Sequence, residues 1–287
     1  MSRLRLYANL WTLTGHPSPA REWSLARKIA AIADAGFDGV TGALDELAVE
    51  LARARKLEPV GWFWATDRAA IDAGLAKHVR LGVRRVTVFI GRHDTPARET
   101  LALALYLHRG ARAAGLHVAP ETHRDTATET PEKTAALLAG FRRRTGEEMP
   151  VTWDFSHHAL VKHLAAADWP ARLLTEPENI AQAELFHFRP FNGQHAQIPV
   201  PVAKSAKGVL AYRDALVFFE LVMRRWRAAP GNAKRELWAC PEVGPVAAGY
   251  ALDGEPAPWA QAIKLAEDLR AAWRHIARPD EEAWNLQ

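Results

Sequence analysis

The chain has 287 residues, 48% hydrophobic and 24% charged, a composition that supports a large core and argues against disorder. Its formal net charge of +4 and pI near 9.3 are mildly basic, but the densest basic runs, "FRRR" (141–144) and "RRWR" (224–227), lie on helix-like stretches, so a nucleic-acid footprint is not expected. One cysteine, Cys240, excludes an intramolecular disulfide framework and a Cys-rich zinc site, and no run reaches the ~18 apolar residues of a membrane span.

Short apolar, β-branched or aromatic runs alternate with Ala/Leu/Arg-rich segments of helical spacing. In chain order the strand-like runs are "LRLYANLW" (4–11), "FDGVTG" (37–42), "EPVGWFWA" (58–65) and "RRVTVFIG" (84–91). Then come "LHVAPETH" (116–123), "PVTWDFSH" (150–157), "ELFHFRPF" (184–191) and "ELWACPEVG" (236–244). Leu216, Phe219, Met223 and Trp226 recur at helical intervals before the last run. Ala262, Leu265, Ala266, Leu269, Trp273 and Ile276 do so after it. Strands joined by crossover helices are parallel, and eight such units predict a single α/β domain over residues 1–287, a (β/α)8 TIM barrel. A doubly wound sheet would carry a Gly-rich turn after its first strand, and "LTGHPSPAREW" is not one. The extra length before the eighth strand falls in a Pro/Gly/Gln-rich loop, 190–208. The opening "MSRLRLYANLW" lacks the apolar core of a signal peptide, so the expected location is the cytoplasm.

In such a barrel the active site lies at the C-terminal ends of the strands. The fifth run ends in Glu121 and His123. The sixth ends in Asp154, His157 and His158. The seventh ends in His187, Arg189 and His195, and the eighth in Glu242. A lone acid at a strand tip reads as a helix N-cap, but four adjacent tips ending this way point to a metal site. Crowded carboxylates repel one another, and three carboxylates with one imidazole suit a single divalent ion: Mn, Co, Mg or Zn. His187, between Phe186 and Phe188, is the expected imidazole ligand. His158 is expected to be structural, and Cys240 buried filler. Trp11, Trp62, Trp64 and Trp153 lie near strand tips, where aromatic faces can stack on a sugar ring.

These motifs, "PETH", "DFSHH", "FHFR" and "PEVGP", resemble the xylose isomerase-like TIM barrels, a superfamily of sugar isomerases, ketose 3-epimerases, inosose dehydratases and endonuclease IV. The resemblance covers most of the chain. It implies that Glu121, Asp154, His187 and Glu242 bind one divalent ion, that His157 touches substrate, and that Glu121 and Glu242 exchange a proton. Two positions depart from the epimerase pattern. Ala127 stands where a second glutamate is found, and Gly193 where an arginine is found, with Arg189 only two residues beyond the histidine. The strand ends "VTG" and "FWA" lack the additional zinc-binding histidines of endonuclease IV.

The expected function is therefore a divalent-metal-dependent sugar or polyol isomerase or epimerase, moving a proton next to a carbonyl through an enediolate. Glu121 and Glu242 are the expected catalytic pair. His157, Arg189, His123, His195, Trp11 and Trp64 are expected to bind a small sugar or polyol that could be anionic. Membrane partners are not expected, and self-association is left open. The alternatives are a phosphodiester hydrolase related to endonuclease IV, suggested by Arg92, His93, His123, Arg124 and Arg189 near the mouth, and a non-catalytic sugar-binding barrel, suggested by Ala127.

Overall fold

The computed structural model describes residues 2–202 and 209–277; the end of the long loop, 203–208, lies outside them. Eight strands form the barrel: β1 (Arg3–Asn9), β2 (Gly39–Gly42), β3 (Glu58–Ala65), β4 (Arg85–Ile90), β5 (His117–Pro120), β6 (Thr152–Trp153), β7 (Leu185–His187) and β8 (Glu236–Cys240). All pairings are parallel, in the order β5-β4-β3-β2-β1-β8-β7-β6. Helices follow the strands, among them Arg68–Leu81, Ala97–Ala114, Phe155–Val161, Val209–Ala228 and Pro258–His275. The expected (β/α)8 TIM barrel is present. Among the described residues, no helix is long and apolar enough to cross a membrane.

The barrel closes between β5 and β6 through little regular pairing. Pro120 ends β5 and has no N–H to offer. Glu121 and Thr152 form a single bridge, and the Thr122 amide donates to the Thr152 carbonyl (3.0 Å). The Thr122 hydroxyl then continues the seam. It accepts from the Asp154 amide (2.8 Å) and donates to the Asp154 carbonyl (2.9 Å).

Period-two alternation decides which side chains enter the lumen. Tyr7, Val60, Leu185, Trp238 and Cys240 pack together inside the barrel, while Leu6, Val86, Val118, Trp153, Phe186 and Leu237 join the larger core beneath the helices. Continued past each strand, the same alternation carries Asn9, Glu121, Asp154, His187, Arg189 and Glu242 inward. It also corrects one expectation. Trp153 does not reach the mouth; it is buried on the outer side of the sheet, stacked on Phe155 (centroids 5.3 Å apart).

Strand extents are shorter than the apolar runs imply. The sixth run ends after two residues because the Asp154 side chain accepts from the Ser156 amide (2.9 Å) and starts the helix Phe155–Val161. His157 and His158 are thus helical. Trp11 belongs to the single turn Leu10–Leu13 rather than to β1. The long loop is pinned through Val200. Gln197 exchanges two hydrogen bonds with the Gly244 backbone, and Gln261 accepts from the Val200 amide.

Candidate active site

At the C-terminal mouth lies a cavity of about 260 Å³. It has room for a small molecule. Asn9, Glu121, His187, Arg189 and Glu242 supply polar lining, and Trp11, Trp62, Trp64, Phe89 and Tyr250 supply aromatic surface. Gly244 makes room for two of these rings, since a Cβ there would stand 2.7 Å from Tyr250 Cβ and 2.8 Å from Trp11 Cη2.

His187 Nδ1 lies between two carboxylates, 3.1 Å from Glu242 Oε2 and 3.4 Å from Glu121 Oε1. The angles fall short of hydrogen bonds, so both ring nitrogens, like Glu121 Oε2, are buried without a hydrogen-bond partner. Glu242 is held more tightly. Asn9 Nδ2 donates to its Oε1 (2.9 Å) and Arg189 Nη2 to its Oε2 (2.8 Å). Arg189 also donates through Nε to Asp154 Oδ2 (3.2 Å), and its guanidinium lies 4.5 Å from the centre of the Tyr250 ring.

The charges follow from this geometry. Burial alone would raise the Glu242 carboxyl, but Arg189 and His187 outweigh it and hold Glu242 well below the usual carboxylate range. Burial opposes charge on His187, yet Glu242 and Glu121 together push its imidazole well above 6.5. His157 behaves oppositely. Its complete burial, reinforced by His123, Arg189 and Arg124, lowers it well below 6.5 and keeps it neutral.

Glu121 Oε2 is a buried lone-pair site without a donor, which a cation can satisfy. One ligand atom each from Glu121, Asp154 and His187 lies within 4.8 Å of the others. Glu242 adjoins this set through His187. The donor set is three carboxylates and an imidazole, which fits a divalent ion. A second group, Glu121, His123 and His157, meets the same distance.

The structure brings Trp11, Trp64, His123, Arg189, Glu121, His187 and Glu242 onto the cavity. Asp154 and His157 sit behind that surface, His157 with its ring centroid 4.0 Å from that of His123. His195 is not brought there. It is exposed and tied to Asn192 by its backbone amide (2.8 Å), because Asn192 forms a local turn. His158 is buried away from the mouth, donating from Nε2 to the Thr128 carbonyl (2.8 Å). Ala127 is buried and offers no polar group, and a Cβ on Gly193 would lie 2.4 Å from the Leu164 carbonyl oxygen. Trp62, read as a strand-tip aromatic, lines the cavity, and Asn9, Phe89 and Tyr250 line it beyond the residues singled out in the sequence. Asn9 carried the same signal as the later strands, a polar residue ending an apolar run. Tyr250 sits in a loop with no period to read.

No protein-family model matches the chain, and no curated protein matches it. Solved structures do. The L-ribulose 3-epimerase structure is 14% identical with a TM-score of 0.61, over 98% of this chain and 100% of that one. D-allulose 3-epimerase from Methylomonas sp., in complex with D-allulose, is 15% identical with a TM-score of 0.55, over 96% and 98%. An AP endonuclease of family 2 from Brucella melitensis is 15% identical with a TM-score of 0.55, over 83% and 92%. At these identities the likeness is one of fold, a (β/α)8 barrel shared along nearly the whole chain.

Proposed function

We propose that the chain is a divalent-metal-dependent sugar or polyol isomerase or epimerase that moves a proton on the carbon next to a carbonyl. The observation carrying this reading is the pair Glu121 and Glu242, held on either side of His187 at the edge of a small aromatic-lined cavity. Glu121, Asp154, His187 and Glu242 would hold the ion, which when bound supplies Lewis-acid polarisation of the carbonyl.

The two glutamates are not equivalent. Glu242 accepts from Asn9 and Arg189, one donor at each oxygen, which fixes its position. Glu121 Oε2 has no donor, so Glu121 is the proton acceptor of the pair. Removal of the proton shifts its bonding electrons toward the carbonyl oxygen and gives an enediolate. Glu242 or solvent returns a proton to the carbon. Arg189 fixes Glu242 and Asp154 and places a positive charge beside the developing oxyanion. The aromatic rings take the apolar face of the sugar and exclude water. Arg124, stacked 4.8 Å from the Tyr250 ring and without an ion pair among the described residues, suits an anionic substituent.

The phosphodiester reading is weaker on one specific ground. Two of the basic mouth side chains that suggest it, Arg92 and His93, both face Asp125, at 3.8 and 2.8 Å. The test is metal-dependent exchange in D2O. Purified protein is incubated with D-allulose and with dihydroxyacetone, and exchange of carbon-bound hydrogen is followed by NMR before and after chelation. Exchange that chelation abolishes and Mn²⁺ restores supports the proposal. Metal-bound protein that binds sugar without exchange would mark a non-catalytic barrel and overturn it.

A further inference from the structure

A groove of about 600 Å³, more than twice the volume of the mouth cavity, runs between the helices Val209–Ala228 and Pro258–His275. Tyr212 donates to Asp268 (2.6 Å) at one level and His275 meets Glu220 (3.1 Å) further on, so the two helices run side by side in one direction. Val202, Val209, Leu216, Val217 and Ala272 give the groove an apolar floor, and the three valines are 42–48% exposed. Contiguous apolar surface rimmed by polar groups marks a contact site. Most charges on the walls are already paired, Lys264 with Asp268 and Glu220 with Arg224. Arg213 lines the same groove and has no ion pair among the described residues. His275 closes one end, two residues before Ala277, the last described residue. Residues 278–287, "RPDEEAWNLQ", follow it.

We infer that residues 278–287 turn back and dock in this groove of their own chain, with Trp284 and Leu286 on the apolar floor and the acids Asp280, Glu281 and Glu282 facing Arg213. The reach is sufficient. From His275 back to Lys264 the groove spans about 17 Å, at 1.5 Å per helical residue. An extended chain covers at most ~3.3–3.6 Å per residue, so Trp284, seven residues past Ala277, reaches about 23–25 Å. The chemistry matches as well, since the segment brings three carboxylates to an unpaired guanidinium. In an extended segment Trp284 and Leu286 share one face. Pro279 has no N–H with which to extend the helix, which lets the segment turn. Docking covers apolar surface that otherwise faces water, and it is independent of the chemistry proposed at the mouth.

The test is site-directed cross-linking in the full chain. Cys240 is buried, so introduced cysteines supply the reactive thiols. Val217→Cys is combined with Asn285→Cys, and as a control Val79→Cys, on the helix Arg68–Leu81, is combined with the same Asn285→Cys. Both are treated with a short bismaleimide, and linked peptides from monomer and dimer fractions are identified by mass spectrometry. The inference expects a link within one chain at Val217 and none at Val79. Adding Trp284→Ala should slow that link about tenfold or more, since burying an aromatic side chain is worth over one decade in an equilibrium constant. Equal rates at the two positions, no link at either, or a Val217 rate that Trp284→Ala leaves unchanged would overturn the inference. A link found only between chains would assign the groove to a second copy and overturn it too. If a cysteine variant does not fold, Trp284→Ala in the otherwise native chain decides: fluorescence of the apolar dye ANS should rise above wild type, and unchanged fluorescence overturns the inference.

Discussion

Replacing Arg189 with methionine probes the electrostatics that hold the mouth together. Arg189 is 2% exposed and is the fixed cation joining Asp154 (3.2 Å) and Glu242 (2.8 Å). Removing one partner of a buried ion pair typically costs about 3–5 kcal/mol. The orphaned pair has one escape, which is to protonate a carboxyl. From the ordinary value of 4.5, holding that proton at pH 7 costs about 3.4 kcal/mol, at 1.36 kcal/mol per pH unit. The loss in Arg189→Met is therefore expected near 3 kcal/mol at pH 7. In the variant the folded state binds a proton that the unfolded state does not. Its deficit should thus shrink by about 1.4 kcal/mol per unit as pH falls from 7 toward 5. The assay is urea unfolding of wild type and variant across that range, without divalent ions. Adding Mn²⁺ to 100 times its Kd should return about 2.7 kcal/mol. A deficit under ~1 kcal/mol, or one that does not change with pH, would show that Arg189 does not hold two buried carboxylates.

Other consequences follow from single contacts. Burial lowers His158 from 6.5 to about 4, so the unfolded chain binds the extra proton between these values; stability is full above pH 6.5 and falls by about 3 kcal/mol on descending to pH 4, and His158→Gln should flatten that limb in pH-dependent unfolding. Thr122→Val keeps the shape but orphans the buried Asp154 amide at the barrel seam, at a cost of about 1–3 kcal/mol by thermal or urea unfolding; a neutral effect would mean the seam does not rely on that hydroxyl. His187 is held protonated by Glu242 and Glu121 and must lose its proton to bind a cation. Cation binding should release about one proton near pH 7, read by calorimetry in buffers of different ionisation enthalpy; no release would exclude His187 as a ligand.

Much of the site was legible because two periodicities coincide. Alternation puts Leu185, His187 and Arg189 of β7 and its extension, and Trp238, Cys240 and Glu242 of β8 and its extension, on the same inward face, so the polar residues continuing it had to reach the lumen. The same rule, applied to Trp153, would have placed it outward; proximity to a tip was the wrong criterion. Asp154 was weighed as either ligand or helix cap and is positioned for both, Oδ1 on the Ser156 amide and Oδ2 toward Arg189 and His157. The clamp of Arg189 on two carboxylates and the approach of Tyr250 past Gly244 depend on contacts between residues far apart in the chain, which local pattern does not encode.

The central claim is that Glu121 takes a carbon-bound proton while Glu242 is fixed by Arg189 and Asn9. The most direct measurement is the rate of solvent deuterium incorporation into D-allulose and dihydroxyacetone by metal-loaded wild type, Glu121→Gln and Glu242→Gln, with bound metal quantified in each. The account predicts that Glu121→Gln loses at least about 100-fold in exchange, the scale of a general base. Where Glu242→Gln still holds its metal, it should lose less. Exchange undiminished in Glu121→Gln with metal in place would contradict it.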